Sequence, residues 1–290
     1  MEVIVGKTAG FCFGVKRAVE GSEKIIENTQ EDVYCLGEIV HNRDVVEGLK
    51  AKGLKFIDNI QESKGKTIIR AHGVTKEVYE YAKQNEIELI DYTCPNVLKI
   101  HDIAKEYKQK GYFICLCGSK THPENIGTLS YCGKNVSVID NEDDTFEAIE
   151  NLKRTGIKKL LLISQTTFSL EKFYIIQEIL EKELPSDVKF VKKNTICKAT
   201  ELRQLETKEI AQEVQYMIII GGKNSSNTRK LYDIAKKECE NSVCVENKKE
   251  LDIASKFFFL LPRSLQIFSS TARIAIKQTL KSTFDVLTAA

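Results

Sequence analysis

The chain has 290 residues, 42% of them hydrophobic, with 43 basic and 41 acidic side chains and a formal net charge of +2. The two signs are mixed along the sequence, so nothing in the charge pattern implies a nucleic-acid or membrane partner, and no stretch approaches the ~20 apolar residues of a membrane helix. The opening MEVIVGKTAGFCFG lacks the apolar run and flanks of a signal peptide, so a cytoplasmic protein is expected, most of whose nine cysteines are free core thiols rather than disulfides, with clustered, loop-borne ones as candidates for metal binding.

Taken from the amino terminus, VGKTAGFCFG leads into a helix with Val15, Ala18, Val19, Ile25 and Ile26 at helical spacing. VYCLGEIVHN then precedes RDVVEGLKAKG, and KTIIRAHGVT precedes KEVYEYAKQ. These strand–loop–helix units carry Cys12, His41 and His72 in their loops. The pattern then starts again. ELIDYTCPN precedes the helix VLKIHDIAKEY with Cys94 at its start; YFICLCGSKTHPEN follows, with His122 and Glu124 in its loop. KLLLISQTTF precedes SLEKFYIIQEIL, with Gln165, Thr166 and Thr167 between them. A third round opens on KFVKKNTICKAT with Cys197 and continues with YMIIIGGKNSSNT, whose loop holds Asn224, Ser225, Ser226 and Asn227.

Strands alternating with helices predict an α/β fold with mainly parallel pairing. The repetition predicts three pseudo-equivalent α/β modules, spanning residues 1–93, 94–195 and 196–290, with the N-terminal strand open to packing with the third. Ligands of parallel sheets bind beyond the carboxyl ends of strands, where all of the loop residues above fall. Cys115 and Cys117, alternating within the apolar run YFICLC, read as core positions of a buried strand. His101, beside Ile100 and one turn after Val97, reads as structural.

Three modules that each offer a cysteine at a strand–helix juncture predict three thiolates at one centre. Cysteines at helix starts suit thiolate chemistry because the positive helix end favours the anion. Iron–sulfur clusters usually take four such ligands. Three would leave one iron open to an oxygen ligand, a Lewis acid as well as an electron conduit. Imidazoles of His41, His72 and His122, with the hydroxyls and amides of Thr166, Thr167, Ser225, Ser226 and Asn227, make a phosphate cradle. Ser225 and its neighbours read equally as an ordinary helix cap. No P-loop or GxGxxG fingerprint is present in the sequence, which argues against a nucleotide as the anion. Glu124, in THPEN, is a candidate proton relay beside the cluster or simply a first-turn helix acid.

The stretches AGFCFGVKRAV, LGEIVHN, IRAHGV, DYTCPNV, GSKTHPE, SQTTFS, NTICKATELRQ and GGKNSSNT, spread over roughly residues 1–250, resemble the 4-hydroxy-3-methylbut-2-enyl diphosphate reductase (LytB) family. That resemblance implies a trefoil of three modules around a [4Fe–4S] cluster on Cys12, Cys94 and Cys197. It implies a diphosphate held among His41, His72, His122, Ser225, Ser226 and Asn227. It makes Glu124 the proton source and gives Thr166 a part in holding the substrate hydroxyl and the relay. The implied reaction is the last step of the methylerythritol phosphate route to isoprenoids. Two electrons from ferredoxin or flavodoxin remove the hydroxyl as water, giving isopentenyl and dimethylallyl diphosphates.

The tail departs from the family. A Gly-Ala-Ser-Thr-Pro loop belongs near the end, and residues 251–290 contain neither it nor any glycine. FFFLL is the candidate closing strand, and Ser269, Ser270 and Thr271 fall where the missing serine would be. Three other readings therefore stand beside the reductase: an iron–sulfur dehydratase without net redox, an impaired iron–sulfur binding protein, and a zinc hydrolase built on the same Cys and His residues.

Overall fold

The computed structural model describes residues 2–247, 250 and 273–278. The chain begins with β1 (Glu2–Val5) and α1 (Phe13–Glu27). Next come β2 (Val33–Leu36), α2 (Arg43–Ala51), β3 (Lys55–Ile57), β4 (Lys66–Ile69), α3 (Lys76–Gln84) and β5 (Leu89–Asp91). Helix α4 (Pro95–Gln109) leads to β6 (Phe113–Cys117), α5 (Pro123–Cys132), β7 (Val136–Ile139), α6 (Glu142–Thr155), β8 (Lys159–Ser164), α7 (Leu170–Glu183) and β9 (Lys189–Lys192). The last described elements are α8 (Lys198–Glu213), β10 (Tyr216–Ile220), α9 (Ser226–Glu238), β11 (Ser242–Val245) and β12 (Arg273–Gln278).

The strands form three four-stranded sheets, ordered β3-β2-β4-β5, β7-β6-β8-β9 and β11-β10-β12-β1. Every pairing is parallel. The order is the same each time: the second strand of a module lies outside its first, and the third and fourth follow on the other side. In the third sheet β1 takes the fourth place, pairing Glu2 with Arg273 and Val5 with Ile276. The α/β class and the three pseudo-equivalent modules expected from the repeats are present in these sheets.

Parallel sheets need both faces covered, so their central strands read as unbroken apolar runs. β6 is the clearest case. Phe113, Cys115 and Cys117 point into one buried cluster, with Leu160, Phe168 and Phe173. Ile114 and Leu116 point into another, with Ile100, Ala104 and Leu161. Cys115 and Cys117 are thus core residues, as the alternation predicts. His101 is buried too, stacked on Tyr131 with ring centroids 4.6 Å apart.

Two compact units divide the chain: Met1–Cys12 and His41–Val45 with the described residues from Lys198 onward, and Phe13–Val40 with Val46–Cys197. No described helix is long and apolar enough to cross a membrane.

The strand that enters the third sheet is Arg273–Gln278, in register with both β1 and β10. FFFLL, Ser269, Ser270 and Thr271 lie outside the described residues. In the third sheet the segment RIAIKQ pairs in parallel with β1 and β10.

Candidate active site

Each candidate residue lies just past a strand's carboxyl end. Cys12 follows β1, His41 follows β2, His72 follows β4, Cys94 follows β5 and His122 follows β6; Thr166 follows β8, Cys197 follows β9 and Ser225 follows β10. The three cysteines share a finer placement. Cys12 directly precedes α1, Cys94 is the N-cap of α4, and Cys197 directly precedes α8.

Local sequence explains two of these junctures. Pro95 and Pro123 occupy the first turns of α4 and α5. A proline tolerates that position because its missing N–H has no helical acceptor, and it forces the preceding residue into extended backbone. Cys94 (φ −61°, ψ 135°) and His122 (φ −72°, ψ 132°) take up that conformation. The Cys94 N–H donates to Ala71 O at 3.0 Å, tying this loop to the one that carries His72. Arg17 Nη2 donates to Thr93 O at 2.6 Å from the other side. Gly14 leaves room for the sulfur: a Cβ there would lie 2.8 Å from Cys94 Sγ.

The donor set suits a thiolate-bound group. None of the nine cysteines is in a disulfide. Cys35, Cys115, Cys117, Cys132 and Cys239 are buried. Burial pushes the thiols of Cys35, Cys115 and Cys132 up to about 12, and that of Cys117 upward as well. Buried apolar thiols of this kind are inert. Cys244, half-buried on strand β11, is pushed upward by burial too. Cys12, Cys94 and Cys197 are the half-buried cysteines that sit at helix starts.

Glu124 is 1% exposed in the first turn of α5. Its Oε1 accepts the backbone N–H of Thr166 at 2.6 Å, and its Oε2 is joined to Thr166 Oγ1 at 2.6 Å. Burial raises this carboxyl from its ordinary value to about 7, and the two Thr166 hydrogen bonds partly oppose the rise. Thr166 is tied onward as well, since its carbonyl accepts the Cys197 N–H at 3.0 Å. One continuous chain of bonds therefore runs from the Glu124 carboxyl through Thr166 to the peptide of Cys197.

The imidazole of His122 caps α5 by accepting the Glu124 N–H at its Nδ1 (3.2 Å). Its ring meets that of His72 edge-on, with centroids 5.4 Å apart. Accepting at Nδ1 places the ring's proton on Nε2 when the imidazole is neutral.

In the other unit, Ser225 is the N-cap of α9, its hydroxyl accepting the Thr228 N–H at 3.3 Å, and Ser226 and Asn227 are the first residues of that helix. The helix-cap reading is thus correct for Ser225. In that bond the Ser225 oxygen is the acceptor, so the cap does not use its hydroxyl proton. His41 lies against this loop, since a Cβ on Gly222 would sit 1.9 Å from His41 O. Only glycine permits that approach.

Sequence reasoning missed one pair. Asn125, fully buried, donates through Nδ2 to Gln165 Oε1 at 3.1 Å, and Gln165 Nε2 donates to Thr167 Oγ1 at 2.7 Å. This is a second tie between the start of α5 and the 165–167 loop, beside that of Glu124 and Thr166. Nothing in THPEN marks Asn125 as buried; its partner is forty residues away.

A family profile described as LytB protein matches residues 3–283, further than the quoted motifs reach. Among curated relatives are 4-hydroxy-3-methylbut-2-enyl diphosphate reductases of three bacteria. That of Alkaliphilus oremlandii is 39% identical over 82% of this chain and 83% of that one. That of Clostridioides difficile is 40% identical over 87% of this chain and 88% of its own. That of Aquifex aeolicus is 42% identical over 87% and 85%. A solved (E)-4-hydroxy-3-methyl-but-2-enyl diphosphate reductase, described as the terminal enzyme of the non-mevalonate pathway, matches with TM-score 0.66 and 35% identity over 99% of this chain and 97% of that one. The E-1-hydroxy-2-methyl-but-2-enyl-4-diphosphate reductase of Plasmodium falciparum matches with TM-score 0.82 and 26% identity, covering 99% and 87%.

Proposed function

The chain belongs to the LytB family, and from that premise we infer that it is the iron–sulfur oxidoreductase that converts (E)-4-hydroxy-3-methylbut-2-enyl diphosphate to isopentenyl and dimethylallyl diphosphates. The reaction breaks the C–O bond at the substrate's hydroxyl. It consumes two electrons and two protons: one proton leaves with the hydroxyl as water, and the other is added to carbon. The observation that carries the reading is the buried carboxyl of Glu124, held by both donors of Thr166 and raised to about 7. A carboxyl that remains substantially protonated near neutral pH is what a proton donor to a leaving hydroxyl requires.

Cys12, Cys94 and Cys197 are assigned as the ligands of a [4Fe–4S] cluster. Their lack of disulfide bonds, helix-start positions and partial exposure support this, as does family membership. When bound, such a cluster supplies the electrons and an open iron for the substrate oxygen. The remaining work falls to the chain's own side chains. The N–H of Thr166 can only donate, so it fixes Glu124 Oε1 as an acceptor. The bond between Oε2 and Oγ1 can reverse, so a proton carried by Glu124 passes to the Thr166 hydroxyl, which in turn holds the substrate hydroxyl. His41, His72, His122, Ser225, Ser226 and Asn227 are assigned to the diphosphate, supported by the imidazole donors and the helix N-terminus of α9. A ferredoxin- or flavodoxin-type protein is the assigned electron donor, in the cytoplasm. The module boundaries 1–93, 94–195 and 196–290 are part of the same proposal, each beginning or ending beside one of the cysteine junctures.

The test is anaerobic purification with Mössbauer spectroscopy, with and without substrate, and a reductase assay on the same sample. A [4Fe–4S] spectrum altered by substrate, with turnover that requires dithionite or reduced ferredoxin, is expected. Turnover without reductant would establish a dehydratase instead; a cluster that never consumes the diphosphate would leave a binding protein.

A further inference from the structure

The loop between β1 and Cys12 is held by two oppositely charged side chains of one helix. Arg203 and Glu206 lie three residues apart on α8 and so share a face. The Glu206 carboxylate accepts the backbone N–H of Lys7 at 2.6 Å and that of Thr8 at 3.1 Å, and takes the Thr8 hydroxyl as a third donor. The Arg203 guanidinium donates in the complementary sense, from Nε to Thr8 O at 3.1 Å and from Nη2 to Gly10 O at 2.6 Å. Peptide donors of the loop thus meet the anion and peptide acceptors meet the cation. These are charge-assisted bonds, stronger than neutral ones, and the guanidinium fork fixes direction as well as distance.

The segment so fixed is short. Gly10 adopts φ +97° and Cys12 follows two residues later, before the helical backbone of α1 begins at Phe13. A loop of this length between a strand and a helix has few internal bonds of its own; Ala9 N–H to Gly6 O at 3.1 Å is one. Without the clamp its remaining peptide groups would turn to water, and the cysteine would sample many positions.

We propose that Arg203 and Glu206 are positioning residues that fix the Lys7–Gly10 loop, and through it hold the Cys12 sulfur where it ligates the iron–sulfur cluster. The proposal rests on the assignment of Cys12 as a ligand, but its primary readout does not need the cluster. A pre-set cysteine reduces the ordering cost of metal binding, and a freed one raises it.

The experiment compares wild type with Arg203→Ala, Glu206→Gln and the milder Arg203→Lys. In apo protein prepared anaerobically, alkylation by iodoacetamide is followed cysteine by cysteine with peptide mass spectrometry. Cys12 is expected to react about tenfold faster in Arg203→Ala and Glu206→Gln, the scale set by losing hydrogen bonds to a charged group, while Cys94, Cys115 and Cys117 keep their wild-type rates. Arg203→Lys, which keeps the charge without the fork, falls between. In reconstituted protein the same order is expected for the rate of iron loss to a chelator. A Cys12 rate within twofold of wild type in a variant of unchanged melting temperature overturns the proposal. So does a joint rise of all nine thiols, which reports general loosening. If Arg203→Ala does not fold, Arg203→Lys and Glu206→Gln carry the comparison. A wild-type protein that binds no cluster would refute the cofactor assignment and leave the alkylation result readable by itself.

Discussion

Thr166 gives both its donors to one carboxylate: its backbone N–H and its hydroxyl reach the two oxygens of Glu124, each at 2.6 Å. The pairing joins α5 to the loop after β8 and sets the proton chemistry of the site. With the carboxyl raised to about 7 by burial, turnover should be level below pH 7 and fall above it, roughly tenfold per unit, as the donor is lost. Glu124→Gln should abolish turnover while leaving diphosphate binding intact. Steady-state rates from pH 6 to 9, with calorimetric binding of the substrate, check both.

The same shift makes a stability statement. The folded carboxyl binds its proton more tightly than an unfolded one, so its contribution is fully present below about pH 4.5 and lost as pH rises through 7. Glu124→Gln keeps the hydrogen-bonding shape without the charge. It should therefore be more stable than wild type at pH 8, by about 3 kcal/mol at most, and no more stable at pH 4. Urea unfolding at the two pH values is the measurement.

Thr166→Val removes the hydroxyl and keeps the N–H. Since the Thr166 bonds lower the Glu124 value, losing one should move the alkaline limb of the pH–rate profile upward. The missing relay should reduce the rate by about 10²-fold. Thr166→Ser should restore both. A Val variant with wild-type rate would remove the hydroxyl from the relay.

His101 titrates in the opposite sense. Burial lowers its imidazole from 6.5 to about 4, against the pull of Asp102 and Asp91, so the folded state favours the neutral ring. Stability from this residue is full above pH 6.5 and lost as pH falls toward 4, by about 3 kcal/mol. His101→Phe should flatten that limb of the acid-unfolding curve and leave the reductase site unaffected, as followed by circular dichroism and activity.

Two glycines mark close approaches that a methyl group would test. Gly14→Ala places a Cβ 2.8 Å from Cys94 Sγ, and Gly222→Ala places one 1.9 Å from His41 O. The first should lower iron retention with little loss of stability, because a side chain can shift. The second confronts backbone and should cost roughly 2–3 kcal/mol and raise KM for the diphosphate. Cys94→Ser should lose the cluster, whereas Cys115→Ala, in the core of β6, should keep its iron and lose about 1 kcal/mol. Iron assays and thermal melts separate these cases.

Local chemistry made much of this protein readable from its sequence. Helical spacing located α1, α3, α4 and α7, and the unbroken run FICLC located β6. The helix starts at Cys94-Pro95 and His122-Pro123 were legible because a proline acts on its immediate neighbours. Short edge strands were not: β3, β7 and β11 have three or four residues each, too few to show a period. The candidate closing strand FFFLL lies outside the described residues. RIAIKQ pairs with both β1 and β10, and pairing is a property of partners distant in the chain.

The sequence by itself determined the α/β repeat, the family and the set of candidate ligands, because each rests on neighbouring residues. Only the tertiary structure decided which polar groups share a bond: Glu124 with Thr166, Asn125 with Gln165, Arg203 with the Lys7–Gly10 loop. Such contacts join distant parts of the chain, and the burial that raises Glu124 exists only once those parts have packed together.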